Sequence, residues 1–195
     1  MTTDNVVVLC TDMVDSTRLA SRLTPDIADE VRRSHFAILR QAVADEGGTE
    51  VKSLGDGLMV VFASTSAALS CAVAMQQGVE RRNLDGDHPV GLRVGLSAGE
   101  VSKEEGDYFG AAVVEASRLC ATCEGGQILA SDVVRLMVGR RSKHGFASYG
   151  PLHLKGLPDL VDTVEILWRA PDAAETARLG SVSDGTDENH RSDTA

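Results

Sequence analysis

The chain has 195 residues, 43% of them hydrophobic, which suits one domain able to bury a core without disulfides or a structural metal. Its net charge of −10 and aromatic content of 4% argue against a nucleic-acid binder, which needs a basic face and often stacking rings. No apolar run approaches the ~20 residues of a membrane span, and Met1–Asn5 lacks the basic start of a secretory signal, so a cytoplasmic location is expected.

Asn5 to Cys10 is apolar and β-branched, and reads as a buried strand running into Thr11-Asp12-Met13-Val14-Asp15-Ser16-Thr17. Thr24-Pro25 has the form of an N-cap with a first-turn proline, opening a helix that Gly47-Gly48 stops near Asp45. Two short strands, Glu50 to Leu54 and Leu58 to Phe62, flank Gly55-Asp56-Gly57 and read as a hairpin. Ser64 is expected to cap the next helix, and Gly91 to Gly99 returns to strand alternation. A helix fits Gly110 to Cys123, followed by a strand at Gln127 to Ala130, a short helix at Ser131 to Val138 and a strand at Val161 to Leu167. From Ala170 onward six acidic and two basic residues accompany few large apolar ones, so 170–195 reads as an acidic, disordered tail after a domain over 1–169. The pattern predicts an α+β fold, a ferredoxin-like βαββαβ core with extra C-terminal strands. Its mostly antiparallel sheet is expected to carry helices on one face.

Four cysteines occur at Cys10, Cys71, Cys120 and Cys123, and the histidines are scattered without zinc-ligand spacing. Packing is the expected role of the thiols.

Asp12 ends a buried run and Asp56 sits at a hairpin tip. If the two elements are neighbours in one sheet, both carboxylates emerge at one edge, where they would repel unless a divalent cation joined them. A helix cap and a turn residue fit the same two aspartates, and turn acids are common. Val14-Asp15-Ser16-Thr17 leads into a helix, so free backbone N–H groups lie near Asp12, a natural seat for phosphate.

Thr11–Thr17 resembles the F-[TA]-D-[IM]-V-G-[SF]-T segment of class III nucleotidyl cyclase domains. Val51-Lys52-Ser53-Leu54-Gly55-Asp56-Gly57-Leu58-Met59 is similar to that family's V-K-[TS]-[IL]-G-D hairpin, and Arg93–Glu100 to its R-[VI]-G-[IL] strand. Asp107–Gly110 with Ala116-Ser117-Arg118, and later Leu154-Lys155-Gly156, match its remaining blocks in order across Val6 to Trp168.

The resemblance implies an adenylyl cyclase that converts ATP to 3′,5′-cyclic AMP and pyrophosphate. Asp12 and Asp56, with the Met13 carbonyl, would hold two Mg²⁺ or Mn²⁺ ions. Val14, Asp15, Ser16 and Thr17 would meet the triphosphate. Lys52 and Asp107 would read adenine, Arg118 the charge developing on the α-phosphate, and Lys155 the outer phosphates. Asp56 or solvent would accept the proton. Metal and base residues come from different subunits in this family, so a head-to-tail homodimer with two shared sites is implied. No regulatory domain is expected to flank the segment. One departure stands out: Val114 occupies the place of the family's catalytic asparagine, one turn before Arg118. Asp15, where glycine is usual, is a milder one. Weak activity, or a degenerate nucleotide-binding and dimerisation module, is the corresponding alternative. A guanylyl cyclase is opposed by Lys52, and Gly47–Val51 only faintly echoes a diguanylate cyclase.

Overall fold

The computed structural model describes residues 2–14 and 16–169; Asp15 and the acidic tail over 170–195 lie outside the described residues. The elements in chain order are β1 (Thr2–Val14), α1 (Ser16–Arg22), α2 (Pro25–Asp45), β2 (Thr49–Leu54), β3 (Gly57–Phe62), α3 (Thr65–Asp85) and β4 (Gly91–Glu104). There follow β5 (Asp107–Phe109), α4 (Ala111–Thr122), β6 (Ile128–Ser131), α5 (Asp132–Val138), a 3₁₀ turn at Gly139–Arg141, β7 (Gly145–Leu152) and β8 (Val161–Leu167).

The strands make one sheet in the order β2-β3-β1-β4-β6-β8-β7, with β5 paired to the far part of β4. Only β4 and β6 pair in parallel; the other ladders are antiparallel. The β2-β3-β1-β4 order with its two helical connections is the expected ferredoxin-like βαββαβ core, and β6 to β8 extend it. β1 pairs along its whole length with β4, from Thr2↔Lys103 to Val14↔Gly91. Both strands outrun the apolar stretches that predict them, because their polar ends, exposed to solvent, still complete each other's backbone hydrogen bonds.

Helices cover both faces of the sheet, where the sequence predicts one. Side chains of a strand alternate between faces. Val7, Leu9 and Met13 of β1 therefore join the large core under α2 and α3, with Phe36, Leu39, Leu69 and Met75. Val8 and Cys10 point the other way, into a second core closed by Ala112, Ala116 and Cys120 of α4. A Cβ on Gly95 of β4 would lie 2.2 Å from the Cys120 nitrogen and 2.3 Å from the Ala116 oxygen. This glycine lets the helix backbone rest directly on the strand. α4 thus delivers its outer face to one rim of the sheet, and the site forms there.

Ser64 caps α3 as expected, accepting from the Ala67 N–H at 3.3 Å. Thr24 makes no side-chain cap, so α2 starts on the preset φ of Pro25. All four cysteines are free and buried. Burial pushes the Cys10, Cys71 and Cys123 thiols up to about 12, and raises Cys120 as well, so they pack as small apolar groups. No described helix is long and apolar enough to cross a membrane.

Candidate active site

Asp12 and Asp56 are brought to one edge by a close backbone approach. Leu54 pairs with Gly57 across a two-residue hairpin loop whose first residue, Gly55, has φ +62, as a type II′ turn requires. A Cβ on Gly57 would lie 1.7 Å from the Thr11 carbonyl oxygen and 3.3 Å from the Asp12 Cα, so only glycine lets the hairpin press against β1. The buried Thr11 hydroxyl locks the contact by accepting from the Leu58 N–H at 2.8 Å.

The two carboxylates have different partners. Ser16, the first residue of α1, donates its hydroxyl to Asp56 Oδ2. Asp12 Oδ2 accepts from the guanidinium of Arg93, its cross-strand neighbour on β4. Arg93 lies in a motif that the sequence singles out, but its spacing assigns no role; only the β1–β4 register puts it on the same face as Asp12. Val14 ends β1 half-buried, Met13 is buried, and Thr17 lies in α1.

The donor set can be weighed against a metal. Among the described residues, no three His, Cys, Asp or Glu side chains converge on one point. Two carboxylates and a serine hydroxyl are hard oxygen donors, too few for a closed zinc site. They fit a Mg²⁺-class ion that keeps several waters or phosphate oxygens.

A second pair forms over the α4 face. Lys52 of β2 donates Nζ to Asp107 Oδ2. Asp107 follows a β4–β5 turn in which Glu105 and Gly106 both have positive φ, the type I′ geometry that fits a two-residue hairpin. Its Oδ1 accepts from the Tyr108 N–H at 2.8 Å. The Lys52 hydrogen bond, and then that backbone N–H, hold the Asp107 carboxyl below its usual range.

The third pair joins α4 to the loop before β8. Leu154 and Leu157 close a turn through a 3.1 Å backbone hydrogen bond, with Gly156 at φ +91, a conformation that favours glycine. Buried Leu154 and half-buried Leu157 pack with Leu119 of α4 and hold the turn down, leaving Lys155 exposed. Arg118 Nε donates to the Lys155 carbonyl at 3.0 Å. One turn earlier Val114 presents an isopropyl group, 37% exposed, on the same side of α4 as Arg118.

The sequence-predicted residues thus assemble as Asp56 with Ser16, Lys52 with Asp107, and Arg118 with Lys155. No direct hydrogen bond or ion pair joins these pairs to one another among the described residues. Beneath Asp12 and Asp56 lies a group that the sequence does not flag, His35 of α2. It is 0% exposed and neither ring nitrogen has a partner. Burial, then Arg82, lower its pKa to about 4 against the opposing pull of Asp56 and Asp12, so the ring is neutral.

The match to known proteins is consistent along the chain. Residues 1–167 match the family described as "Adenylate and Guanylate cyclase catalytic domain". A Mycobacterium tuberculosis protein described as uncharacterized is 32% identical over 161 residues, 80% of this chain and 39% of that protein. An adenylate cyclase of Mycosarcoma maydis is 32% identical over 160 residues, 69% of this chain and 6% of that one. The chain therefore spans well under half the length of either relative. Among solved structures, an adenylate/guanylate cyclase/hydrolase from Silicibacter pomeroyi superimposes with a TM-score of 0.76 at 30% identity, covering 89% of this chain and 100% of that one. The adenylyl cyclase CyaB of P. aeruginosa, at 22% identity and a TM-score of 0.75, covers 88% and 99% and shares the fold. The chain belongs to the class III adenylyl and guanylyl cyclase catalytic domain family.

Proposed function

We propose that this chain is an adenylyl cyclase forming 3′,5′-cyclic AMP and pyrophosphate from ATP at sites shared by a head-to-tail homodimer. The observation that carries this reading is the Lys52–Asp107 pair. Adenine presents an acceptor at N1 beside a donor at its exocyclic amine; guanine presents a donor at N1 beside an acceptor at O6. A lysine and an aspartate fixed side by side complement the adenine edge with Lys52 at N1 and Asp107 at the amine. Presented to guanine in that order, they would leave desolvated groups unpaired.

Two Mg²⁺ or Mn²⁺ ions held by Asp12 and Asp56, with the Met13 carbonyl, would supply charge that acidifies the ribose 3′-hydroxyl and neutralises the triphosphate. Ser16 orients Asp56 for that task. Arg93 keeps a cation beside Asp12. The first turn of α1, beside Thr17 and its neighbours, offers backbone N–H groups to the triphosphate. Arg118 and Lys155 bring two further cations to the phosphates from one tethered unit. The proton leaves the 3′-oxygen to Asp56 or to solvent. The two-subunit arrangement is what the family resemblance implies for a chain that carries both the metal-side residues Asp12 and Asp56 and the base-side residues Lys52 and Asp107. Exposed apolar side chains on the elements of the site, Leu54, Phe109 and Val114, suit a subunit interface.

Val114 favours a second reading, a nucleotide-binding and dimerisation module with little turnover, because an isopropyl group cannot hydrogen-bond the ribose ring oxygen. A guanylyl cyclase is the third. A cyclic-nucleotide assay of purified protein with Mn²⁺ and either ATP or GTP, run beside Asp12→Ala, separates the three. Cyclic AMP well above the variant is expected; cyclic GMP in its place favours the third reading, and neither above the variant sinks the enzyme. Mixing Asp56→Ala with Lys52→Ala chains should recover part of the activity that each lacks, and no recovery would remove the shared site.

A further inference from the structure

A cavity of about 200 Å³ lies far from the cyclase residues, where the start of α3 meets the loop between the 3₁₀ turn and β7. It sits past the opposite end of β3 from the Asp56 hairpin, roughly 20 Å away by strand rise. Its volume is that of roughly six waters.

The walls combine apolar Ala67, Leu69 and Val138 with a set of donor-bearing side chains. Arg141 ends the 3₁₀ turn and Lys143 follows in the loop, and the side chain of neither has an ion-pair or hydrogen-bond partner among the described residues. Ser66 and Ser70 stand one turn apart on α3, and their hydroxyls are likewise unengaged. His144 is pinned from behind, where the Ser142 hydroxyl donates to its carbonyl at 2.8 Å and accepts from its N–H at 3.1 Å. Its Nε2 is buried without a partner. That nitrogen is therefore available to an oxygen of a ligand. The acid in the wall is Glu46, at the end of α2.

Burial, then Lys143, lower the His144 pKa against the pull of Glu46, which leaves the ring neutral and able to donate from Nε2. The segment Arg140-Arg141-Ser142-Lys143-His144 is also the densest basic run in a chain of net charge −10. Arg141 and Lys143 are exposed, so together they form a local positive field in an acidic protein that can draw in an anion.

We propose that this cavity is a binding site for a phosphate group, carried by inorganic phosphate or by a small phosphomonoester, held by Arg141, Lys143, Ser66, Ser70 and His144. A tetrahedral anion with several acceptor oxygens can meet donors that converge from two elements, which one planar carboxylate cannot. The site is independent of the cyclase reading.

The test follows thermal unfolding of the full chain with inorganic phosphate or glycerol 2-phosphate, against chloride at matched ionic strength. Phosphate is expected to raise Tm beyond chloride. The rise should survive in Arg118→Ala/Lys155→Ala, which removes the phosphate-facing cations of the cyclase site. In Arg141→Gln/Lys143→Gln it should shrink, with the apparent Kd weakened roughly tenfold or more. Ser66→Ala/Ser70→Ala, on a separate element, should weaken it too, and circular dichroism checks that each variant folds. A larger rise with glycerol 2-phosphate assigns the site to phosphomonoesters; an equal or smaller one assigns it to free phosphate. No rise above chloride overturns the proposal. So does a rise that persists in Arg141→Gln/Lys143→Gln or vanishes in Arg118→Ala/Lys155→Ala.

Discussion

Arg118 reaches across from α4 to hold the backbone carbonyl of Lys155 at 3.0 Å, so the two cations proposed to face the phosphates form one mechanical unit. Arg118→Lys keeps the charge but loses the Nε–H that makes this bond. Cyclic AMP formation should fall by about 10²–10³-fold, as for other lost transition-state donors. Amide exchange at Leu157 should quicken as the 154–157 turn loosens. Lys155→Ala should lower activity without moving that exchange, since its carbonyl remains. Unchanged exchange in Arg118→Lys would remove the mechanical part of the claim.

Restoring an amide at position 114 is the direct test of the weak end of the site. Val114 is 37% exposed on α4, so asparagine fits without repacking. Val114→Asn should raise kcat by about 10²-fold, in line with the ~2–4 kcal/mol of a positioned donor. A module that has lost turnover for other reasons would gain nothing.

Base choice should follow the Lys52–Asp107 pair. Lys52→Glu alone sets a second carboxylate beside Asp107 and should abolish ATP use. Adding Asp107→Ser relieves the repulsion and should turn the ATP to GTP ratio of kcat/KM toward GTP. The depressed pKa of Asp107 adds a pH signature. Its ion pair is complete above the ordinary aspartate pKa and is lost as pH falls through the lower folded value. Asp107→Asn should therefore remove part of the acid-side loss of stability.

His35 gives a pH dependence of its own. The folded pKa of about 4 lies below the ordinary 6.5, so between those values the unfolded chain takes up a proton that the folded chain refuses. Stability should fall as pH drops from 6.5 toward 4, by up to about 3 kcal/mol. His35→Leu should flatten that slope. It should also raise Tm at pH 8, because two unpaired buried nitrogens are replaced by methyl groups of similar volume. Denaturant unfolding at several pH values reads both effects.

Gly57→Ala should be among the most damaging single-methyl changes. Its Cβ would meet the Thr11 carbonyl at 1.7 Å, and that backbone cannot move without opening the β1–β3 ladder. A loss of about 1–3 kcal/mol or more is expected, seen as a lower denaturation midpoint. Mn²⁺ binding should weaken with it.

Much of this was legible in residue order. The Gly55-Asp56-Gly57 hairpin, the Ser64 cap and the strand at Val161–Leu167 have local causes, turn glycines, a short hydroxyl side chain and β-branched alternation, and they stand as expected. β5 and β7 are not legible in the sequence because their own residue pattern does not decide their structure: three residues after a tight turn, and a run broken by Gly150 and Pro151, become strands only when the neighbouring β4 and β8 supply hydrogen bonds. The placement of α4 on the second face has the same origin. Its apolar stripe fits either face, and the backbone-to-backbone fit at Gly95 decides the matter. Within the site, Arg93 could be assigned only once the β1–β4 register was in hand. Asp15 and the acidic tail fall outside the described residues.

The alternation along β1 has an evolutionary consequence. Leu9 and Met13 feed one core while Cys10 feeds the other and Asp12 follows it on that face, and β4 pairs along the whole strand. Deleting or inserting one residue in β1 would drive a carboxylate among leucines and present a thioether where the proposed metal ions would bind. Neither the core nor the site could drift alone. Point substitutions can explore this strand, but changes of its length are closed to it, and divergence within the family should be written in its loops.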